Sequence, residues 1–312
     1  MSASQPQQSC CNAPVTPAWN STYLTGLLLV TAATLAWSTA GLFTRVIALD
    51  SWTLLFWRGV FGGLAIALVV MIISRGSVSR QLAGMGRAGW LFAAVSAAGM
   101  VFYISALKQT TVAHVSVLYA VIPLVTAAVA WWAIGERPSR SVLVASVVSL
   151  LGVCIMMGLA TQGTWFGDLL AMGMTLCLAI MMVIGRACPD VPILPAACVS
   201  AFLSALMALP FSAPLSVQPQ QWLWLVGFGV VNSALGLTLF IIGSKMLPAV
   251  ETALITALDA PMAPLWVWLI FSDTPDTATL IGGSIVFIAV ARYLYISAAV
   301  LEADLPGAGG RH

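Results

Sequence analysis

The sequence predicts an all-α polytopic membrane protein in which ten transmembrane helices form two inverted five-helix repeats. Only 7% of the 312 residues are charged and 61% are hydrophobic, whereas a soluble domain carries about 25% charged residues. Ten apolar segments each approach the length of about 20 residues that crosses a bilayer. Landmarks in the first five segments also recur at nearly constant spacing in the last five.

The ten predicted spans are joined by mostly short connections, so that neighbouring spans are antiparallel. They cover residues 24–46, 53–74, 88–107, 112–134, 141–160, 167–187, 193–211, 220–244, 249–271 and 277–299. Turn-forming sequences that contain Gly, Pro or Asp separate them, for example at 135–138 and 273–276. The first repeat is therefore predicted at 24–160 and the second at 161–299.

Both ends of the chain are predicted to lie outside the bundle. Residues 1–23 are polar and uncharged, and they lack the basic start and apolar stretch of a secretory signal. We expect a disordered cytoplasmic tail at 1–23 and a second cytoplasmic tail at 300–312.

Polar and glycine landmarks support a true repeat. In the first helix of each half, matched residues lie 141 positions apart: Gly26 and Gly167, Thr34 and Thr175, Arg45 and Arg186. From the end of the third helix onward they lie 137 positions apart: Lys108 and Lys245, Trp131 and Trp268, Pro138 and Pro275. Because each half holds an odd number of spans, the second half must enter the membrane from the opposite side. Such inverted repeats with a site between them are typical of secondary transporters.

The distribution of Lys and Arg independently indicates the same inversion. With the N-terminus inside, eight basic residues fall on the inner side: Arg75, Arg80, Arg87, Arg137, Arg140, Arg186, Lys245 and Arg311. Arg45 and Lys108 fall on the outer side. This asymmetry follows the positive-inside rule, and it predicts a multi-pass protein of the cell (inner) membrane with both termini in the cytoplasm.

Composition and motifs argue against several functional classes. Twelve basic residues against ten acidic ones leave no charge excess for binding nucleic acid. The chain has two histidines and no His-Glu-x-x-His motif, and its six cysteines show no metal-ligand spacing. It also lacks a P-loop. We therefore expect no metal, no cofactor and no enzymatic activity.

One stretch of the first half resembles a known family. It contains 102–107, then Thr110, Ala113, Ser116 and Pro123, then the turn Gly135-Glu136-Arg137-Pro138 and Gly152-Val153. This pattern resembles the drug/metabolite transporter superfamily, in its ten-helix EamA-type branch, and Arg58 after Phe56-Trp57 matches a basic residue common there. The resemblance covers residues 24–299 and implies an exporter or permease of small metabolites.

The second half departs from that pattern. Ser272-Asp273-Thr274-Pro275 replaces the Gly-Glu-Arg turn, and Pro261 is one position out of register with Pro123. The aromatic content of the expected cavity is similar to that of the amino-acid exporter branch of the superfamily.

Three ionisable residues within the spans are candidate functional groups, because such groups are costly in a membrane. Arg58 either reaches the outer interface or faces inward, where it could hold a substrate carboxylate or an internal partner. His114 could couple transport to protons or simply face water at a helix end. Asp259 lies deep in the ninth span beside Pro261, where a kinked helix would form part of a central site. It either lines the cavity or is protonated and hydrogen-bonded between helices.

Uncharged candidates complete the predicted substrate site. Trp37 and Tyr119 lie in mid-span, where an indole or phenol requires a polar partner and can stack on a ring. Ser38, Tyr103, Asn232 and Ser233 would supply hydrogen bonds, and Met181 a flexible wall.

These features predict a secondary transporter that exports small metabolites, most of all amino acids, by alternating access around a central cavity. A multidrug or other metabolite permease of the same superfamily is the alternative, and a membrane receptor or an intramembrane enzyme is a more remote one. The expected partners are a small-molecule substrate and the lipid bilayer. The sequence leaves the oligomeric state open and is compatible with a monomer.

Overall fold

The computed structural model describes residues 21–74, 82–110, 112–157, 164–188, 191–272 and 274–303, without the side chains of residues 21, 73–74, 112–114, 157 and 297–303. The part of the chain that it describes folds into ten helical spans, which we number α1 to α10, and contains no strand.

Six of the ten spans are continuous helices: α2 (Ser51–Ser74), α3 (Gly86–Gln109), α5 (Arg140–Met157), α6 (Trp165–Ala187), α7 (Ile193–Ala208) and α10 (Thr277–Ala303). The other four are interrupted: α1 (Ser21–Ser38 and Ala40–Val46), α4 (Val112–Ala120 and Ile122–Ile134), α8 (Trp222–Phe228, a π-helical segment Gly229–Leu235, and Gly236–Ser244) and α9 (Ala249–Thr256 and Asp259–Phe271). Eight spans are long and apolar enough to cross a membrane, and Ile122–Ile134 and Arg140–Met156 are shorter apolar helices.

The ends of the bundle differ slightly from the prediction. α1 already begins at Ser21 and α10 continues to Ala303, so that residues 21–23 and 300–303 are helical and not part of the predicted tails. Tyr23 explains the early start, because its side chain is buried and donates a hydrogen bond to Glu251. The rest of both predicted tails lies outside the described residues.

Contacts between the helices follow the internal repeat. α1 packs on α8 and α3 packs on α6, so that the first helix of each half contacts the third helix of the other. Equivalent helices also contact each other, as in the pairs α2 with α7, α4 with α9 and α5 with α10. A pseudo-two-fold axis between two inverted repeats produces this pattern.

The backbone of α4 is reproduced in α9 in considerable detail. α4 breaks at Val121, whose N–H bonds to the carbonyl of Leu118, and α9 breaks at Leu258, whose N–H bonds to that of Ile255. Both pairs are 137 positions apart. Pro261 is thus out of register with Pro123 only in sequence, since the breaks themselves are in register.

The turns that follow these two helices also have the same shape. Gly135 ends α4 with φ 68° and Ser272 ends α9 with φ 58°. The N–H groups of Gly135 and Ser272 bond to the carbonyl oxygens of Trp131 and Trp268, which are again 137 positions apart. The serine thus adopts the left-handed helix end that favours glycine, and the sequence departure at 272 does not change the fold.

The helix ends define two faces of the bundle. The N face holds the start of α1 and α9 and the end of α4 and α6, with Tyr23, Glu251, Glu136 and Arg186. The far face holds the opposite ends of these helices. Its residues include Arg45, Lys108, Thr164 and Phe271.

Asp50 caps α2 at the far face. Its Oδ1 accepts hydrogen bonds from the N–H groups of Trp52 (2.9 Å) and Thr53 (3.1 Å). Partial burial raises the pKa of the Asp50 carboxyl, but the hydrogen bonds from Thr53 and Trp52 and the charge of Lys108 outweigh it and hold this pKa below its usual value.

We expect Asp50→Ala to lower the free energy of unfolding by about 1 kcal/mol at neutral pH, because helix N-caps contribute that much. A carboxyl whose pKa is depressed by folding stabilises the protein above its unfolded pKa and loses this effect as the pH falls through the folded pKa. The gap between wild type and variant should therefore close in strongly acidic solution. Thermal unfolding in detergent along a pH series measures it. Asp50→Asn, which keeps the cap, should lose much less, and an equal loss would contradict the capping role.

Candidate functional site

A cavity of about 260 Å³ lies between the two halves of the bundle. Described residues of α1, α2, α3 and α4 line it from the first half, and residues of α6, α7, α8 and α9 line it from the second. Some of its residues come from the far-face ends of their helices, such as Arg58 near the start of α2 and Tyr103 near the end of α3. Others, such as Ser96 of α3, lie near the middle of their helices, so the cavity extends from the middle of the bundle toward the far face.

Most of the residues predicted from the sequence meet in this cavity. Its lining includes Trp37, Arg58, Tyr103, Tyr119, Met181, Asn232, Ser233 and Asp259. His114 belongs to α4, but its side chain lies outside the described residues.

Ser38 is not among the described lining residues of the cavity, and its place in the substrate site stays a prediction. Its hydroxyl accepts a hydrogen bond from Trp266 Nε1 (2.7 Å) and donates one to the carbonyl oxygen of Leu35 (2.8 Å). The side chain is buried, and its hydrogen bond with Trp266 connects α1 to α9 in this structure.

Arg58 is held in place by contacts that leave its charge uncompensated. Nε donates to Ser233 Oγ (3.0 Å), Nη1 contacts Met100 Sδ (3.6 Å), and the guanidinium lies 5.5 Å from the centre of the Phe228 ring. No carboxylate of the described chain pairs with it. Since guanidinium groups bind carboxylates through two parallel hydrogen bonds, a carboxylate in the cavity fits this site.

Close packing of α2 on α8 brings Ser233 to Arg58. A Cβ atom added at Gly62 would lie only 2.4 Å from Ser233 Cβ. Small residues at such crossings let membrane helices approach closely. The glycines of 59–63 thus help to form the site, although they line it only at Gly59.

Asp259 is contributed by the opposite half, at the break of α9. Its Oδ1 atom is buried and has no hydrogen-bond partner among the described residues. Tyr103 and Tyr119 lie within electrostatic range of this carboxyl, and Tyr103 is also within range of Arg58. Tyr103 is therefore near both the guanidinium and the carboxyl group of the cavity.

Asn232 lies in the π-helical segment of α8 and stabilises the break of α1. Its Nδ2 donates to the carbonyl oxygens of Trp37 (3.0 Å) and Ala36 (3.3 Å). Backbone groups at a break in mid-membrane require such internal partners. We therefore assign Asn232 to positioning Trp37, whose ring also packs on Phe240 at 4.8 Å.

The structure adds wall residues that the sequence analysis missed. They are mainly small, hydroxylated or sulfur-containing: Ser96, Met100, Ser116, Met174, Ser200 and Ser204. Their spacing could have revealed them, because Ser96, Met100 and Tyr103 follow the i, i+4, i+7 pattern of one helix face, as do Ser200 and Ser204 at i, i+4.

The lining of this cavity is suited to binding a small ligand. Apart from tyrosines, Arg58 and Asp259 are its ionisable lining residues in the described part of the chain, and no described group of His, Cys, Asp and Glu could hold a metal ion. A guanidinium and a carboxyl group that do not pair with each other complement a ligand that carries both an acidic and a basic group.

Comparisons with known proteins agree with this architecture. The sequence model of the EamA-like transporter family matches residues 24–158 and again 165–295. An uncharacterized transporter of Archaeoglobus fulgidus is 26% identical over 253 residues, which cover 81% of this chain and 90% of that protein. A protein of known crystal structure shares the fold with a TM-score of 0.71 and 24% identity, over 90% of this chain and 99% of that one.

The two family matches cover nearly the whole bundle, one in each half, and they include every helix that lines the cavity. This chain is a multi-pass membrane transporter and not an enzyme, and it belongs to the EamA-like transporter family.

Proposed function

We propose that this protein is a secondary transporter that exports small zwitterionic metabolites, amino acids above all, by alternating access of the central cavity. The observation that carries the proposal is a guanidinium and a carboxyl group in the cavity wall that do not pair with each other. Arg58 would hold the substrate carboxylate and Asp259 the ammonium group, while Trp37, Tyr103 and Tyr119 would cover its side chain.

The size of the cavity supports a metabolite over a drug. About 260 Å³ is less than the range of about 300–1,000 Å³ found for pockets that hold drug-sized ligands. A polyanionic substrate such as a nucleotide-linked sugar would require several cations. Arg58 is the only Lys or Arg among the described lining residues.

The membrane orientation is part of the proposal. The positive-inside rule favours a cytoplasmic N face, because eight of the ten Lys and Arg residues assigned to loops, helix ends and tails belong to that side. The cavity would then lie toward the outside of the cell membrane, where an exporter releases its substrate.

Competition in liposomes tests the proposed substrate class. We expect the purified protein to exchange labelled phenylalanine, and unlabelled phenylalanine to compete with it. Phenethylamine, which lacks the carboxylate, and 3-phenylpropionate, which lacks the amine, should compete at least about tenfold more weakly, because each leaves one charge of the cavity uncompensated. Protein-free liposomes are the control. Equal competition by all three compounds would contradict zwitterion recognition, and absence of flux for a full panel of amino acids would reject the substrate class.

A further inference from the structure

A polar cluster on the N face joins the two halves of the bundle. It consists of Tyr23, Glu136, Arg186, Glu251 and Tyr293, which we call the N-face latch. Tyr23 OH in α1 donates to Glu251 Oε2 in α9 (2.8 Å), and Tyr293 in α10 bonds to the same carboxylate.

A second connection crosses between the halves beside the first. Arg186 Nε at the end of α6 lies 3.8 Å from Glu136 Oε2, just after α4. Glu136 and Arg186 are both within electrostatic range of Glu251. Four helices and one turn thus converge on two carboxylates and one guanidinium, and these connections tie α1 and the α4 turn to α6 and α9.

The latch lies on the side where the bundle is closed. The first segment of α9 is buried almost throughout, and Ala253, Leu254 and Ile255 have no exposed surface. The equivalent residues of α4 are 116–118, which are partly exposed, and Ser116 lines the cavity. Two halves with the same fold therefore differ in burial at equivalent positions, as expected when one face is closed and the other is not.

The repeat matches the residue types of the Glu136–Arg186 pair, at Asp273 and Arg45, but it does not match those of the Tyr23–Glu251 hydrogen bond. The equivalent of Glu251 is His114 at a spacing of 137 positions, and the equivalent of Tyr23 is Thr164 at 141. His114 and Thr164 cannot form a carboxylate–phenol hydrogen bond with each other. The Tyr23–Glu251 hydrogen bond therefore has no equivalent at the far face and favours closure of the N face alone, because its free energy differs between the two states.

We propose that the N-face latch holds the N face closed and must break each time the cavity opens there. This inference rests on the alternating-access part of the proposed function. It does not depend on the substrate class, because the latch acts on the empty protein.

Thiol labelling of the empty protein in nanodiscs tests the latch, since both faces are then accessible to a water-soluble maleimide. Two reporters at equivalent positions of the repeat, Ala253→Cys and Ser116→Cys, are placed separately in a chain without other cysteines. Ser116→Cys should be labelled faster than Ala253→Cys. Tyr23→Phe should raise the labelling rate of Ala253→Cys by about tenfold and change that of Ser116→Cys by less than about twofold, because a minor open state grows while the major state stays nearly full.

Controls separate opening from loss of folding. Glu251→Gln should act in the same direction as Tyr23→Phe, and Tyr295→Phe, on the exposed surface of α10, should change neither rate. If Glu251→Gln does not fold, Tyr23→Phe decides the outcome. Unchanged Ala253→Cys labelling in the folded latch variants would overturn the proposal, as would equal acceleration of both reporters. A latch effect without amino-acid flux would reject the substrate class alone.

Discussion

Replacing Arg58 with Gln should weaken transport at subsaturating substrate by at least about 30-fold while leaving the protein folded. Loss of one partner of a desolvated, hydrogen-bonded charge pair costs about 2–5 kcal/mol, and Arg58 is the only Lys or Arg among the described lining residues of the cavity. Exchange of labelled phenylalanine in liposomes measures the loss. It should appear chiefly as a higher KM, because the guanidinium is assigned to binding the substrate carboxylate.

The stability of the same variant separates a functional from a structural arginine. A buried charge without a carboxylate partner is destabilising, and replacing buried charges with neutral groups is often neutral or stabilising. Arg58→Gln should therefore keep or raise the melting temperature of the empty protein in detergent. A clear fall in melting temperature would show that the contacts with Ser233 and Met100 serve mainly to hold the helices together.

Two matched variants define what the site requires. Arg58→Lys keeps the charge but loses the two-pronged geometry of the guanidinium, so that it should restore only part of the flux. Arg45→Gln removes an arginine at the far face, where the guanidinium lies 4.6 Å from the centre of the Phe271 ring and outside the cavity lining. It should leave the KM nearly unchanged. Wild-type flux in folded Arg58→Gln would contradict the proposed role of Arg58.

The fold could be predicted from the sequence because membrane helices are specified by local composition. Apolar length, loop charge and polar landmarks were sufficient to predict ten spans in two inverted repeats. Ser272 shows the limit of sequence motifs, since the Gly-Glu-Arg motif is absent there although the backbone turn is the same. The hydrogen bond from its N–H to Trp268 maintains this turn, and single-residue preference is too weak to oppose it.

The candidate site was harder to predict, because its geometry depends on contacts between distant residues. Arg58 and Asp259 are apparent from charge alone, since ionisable groups within spans are rare. The role of Asn232 is not, because its partners are backbone carbonyls of α1 about 195 positions away. No sequence signal marks which carbonyls a helix break leaves accessible, or that α8 widens into a π-helical segment at Gly229–Leu235.

Replacing Asn232 with Leu should lower the free energy of unfolding by about 1–3 kcal/mol, because it removes the amide donor from the carbonyl oxygens of Trp37 and Ala36, of which that of Ala36 keeps the hydrogen bond from Thr39 Oγ1. The carbonyl oxygens of Ala36 and Trp37 accept from Asn232 Nδ2 at 3.3 and 3.0 Å, and the side chain is only 3% exposed. Interhelical hydrogen bonds in membranes are often worth less than about 1 kcal/mol each, but Asn232 makes two. Thermal unfolding in detergent provides the measurement.

Thr238→Val provides the matched control in the same helix. The hydroxyl of Thr238 is buried and has no partner among the described residues, so that its removal should be neutral or stabilising. The two variants together test whether α8 is held by particular hydrogen bonds or by apolar packing alone. If Asn232→Leu were as stable as Thr238→Val, the break of α1 would not depend on Asn232. If Asn232→Leu were less stable than Thr238→Val, the π-helical segment would be the element that fixes Trp37 in the cavity wall. Substitutions in α8 would then alter the site through α1.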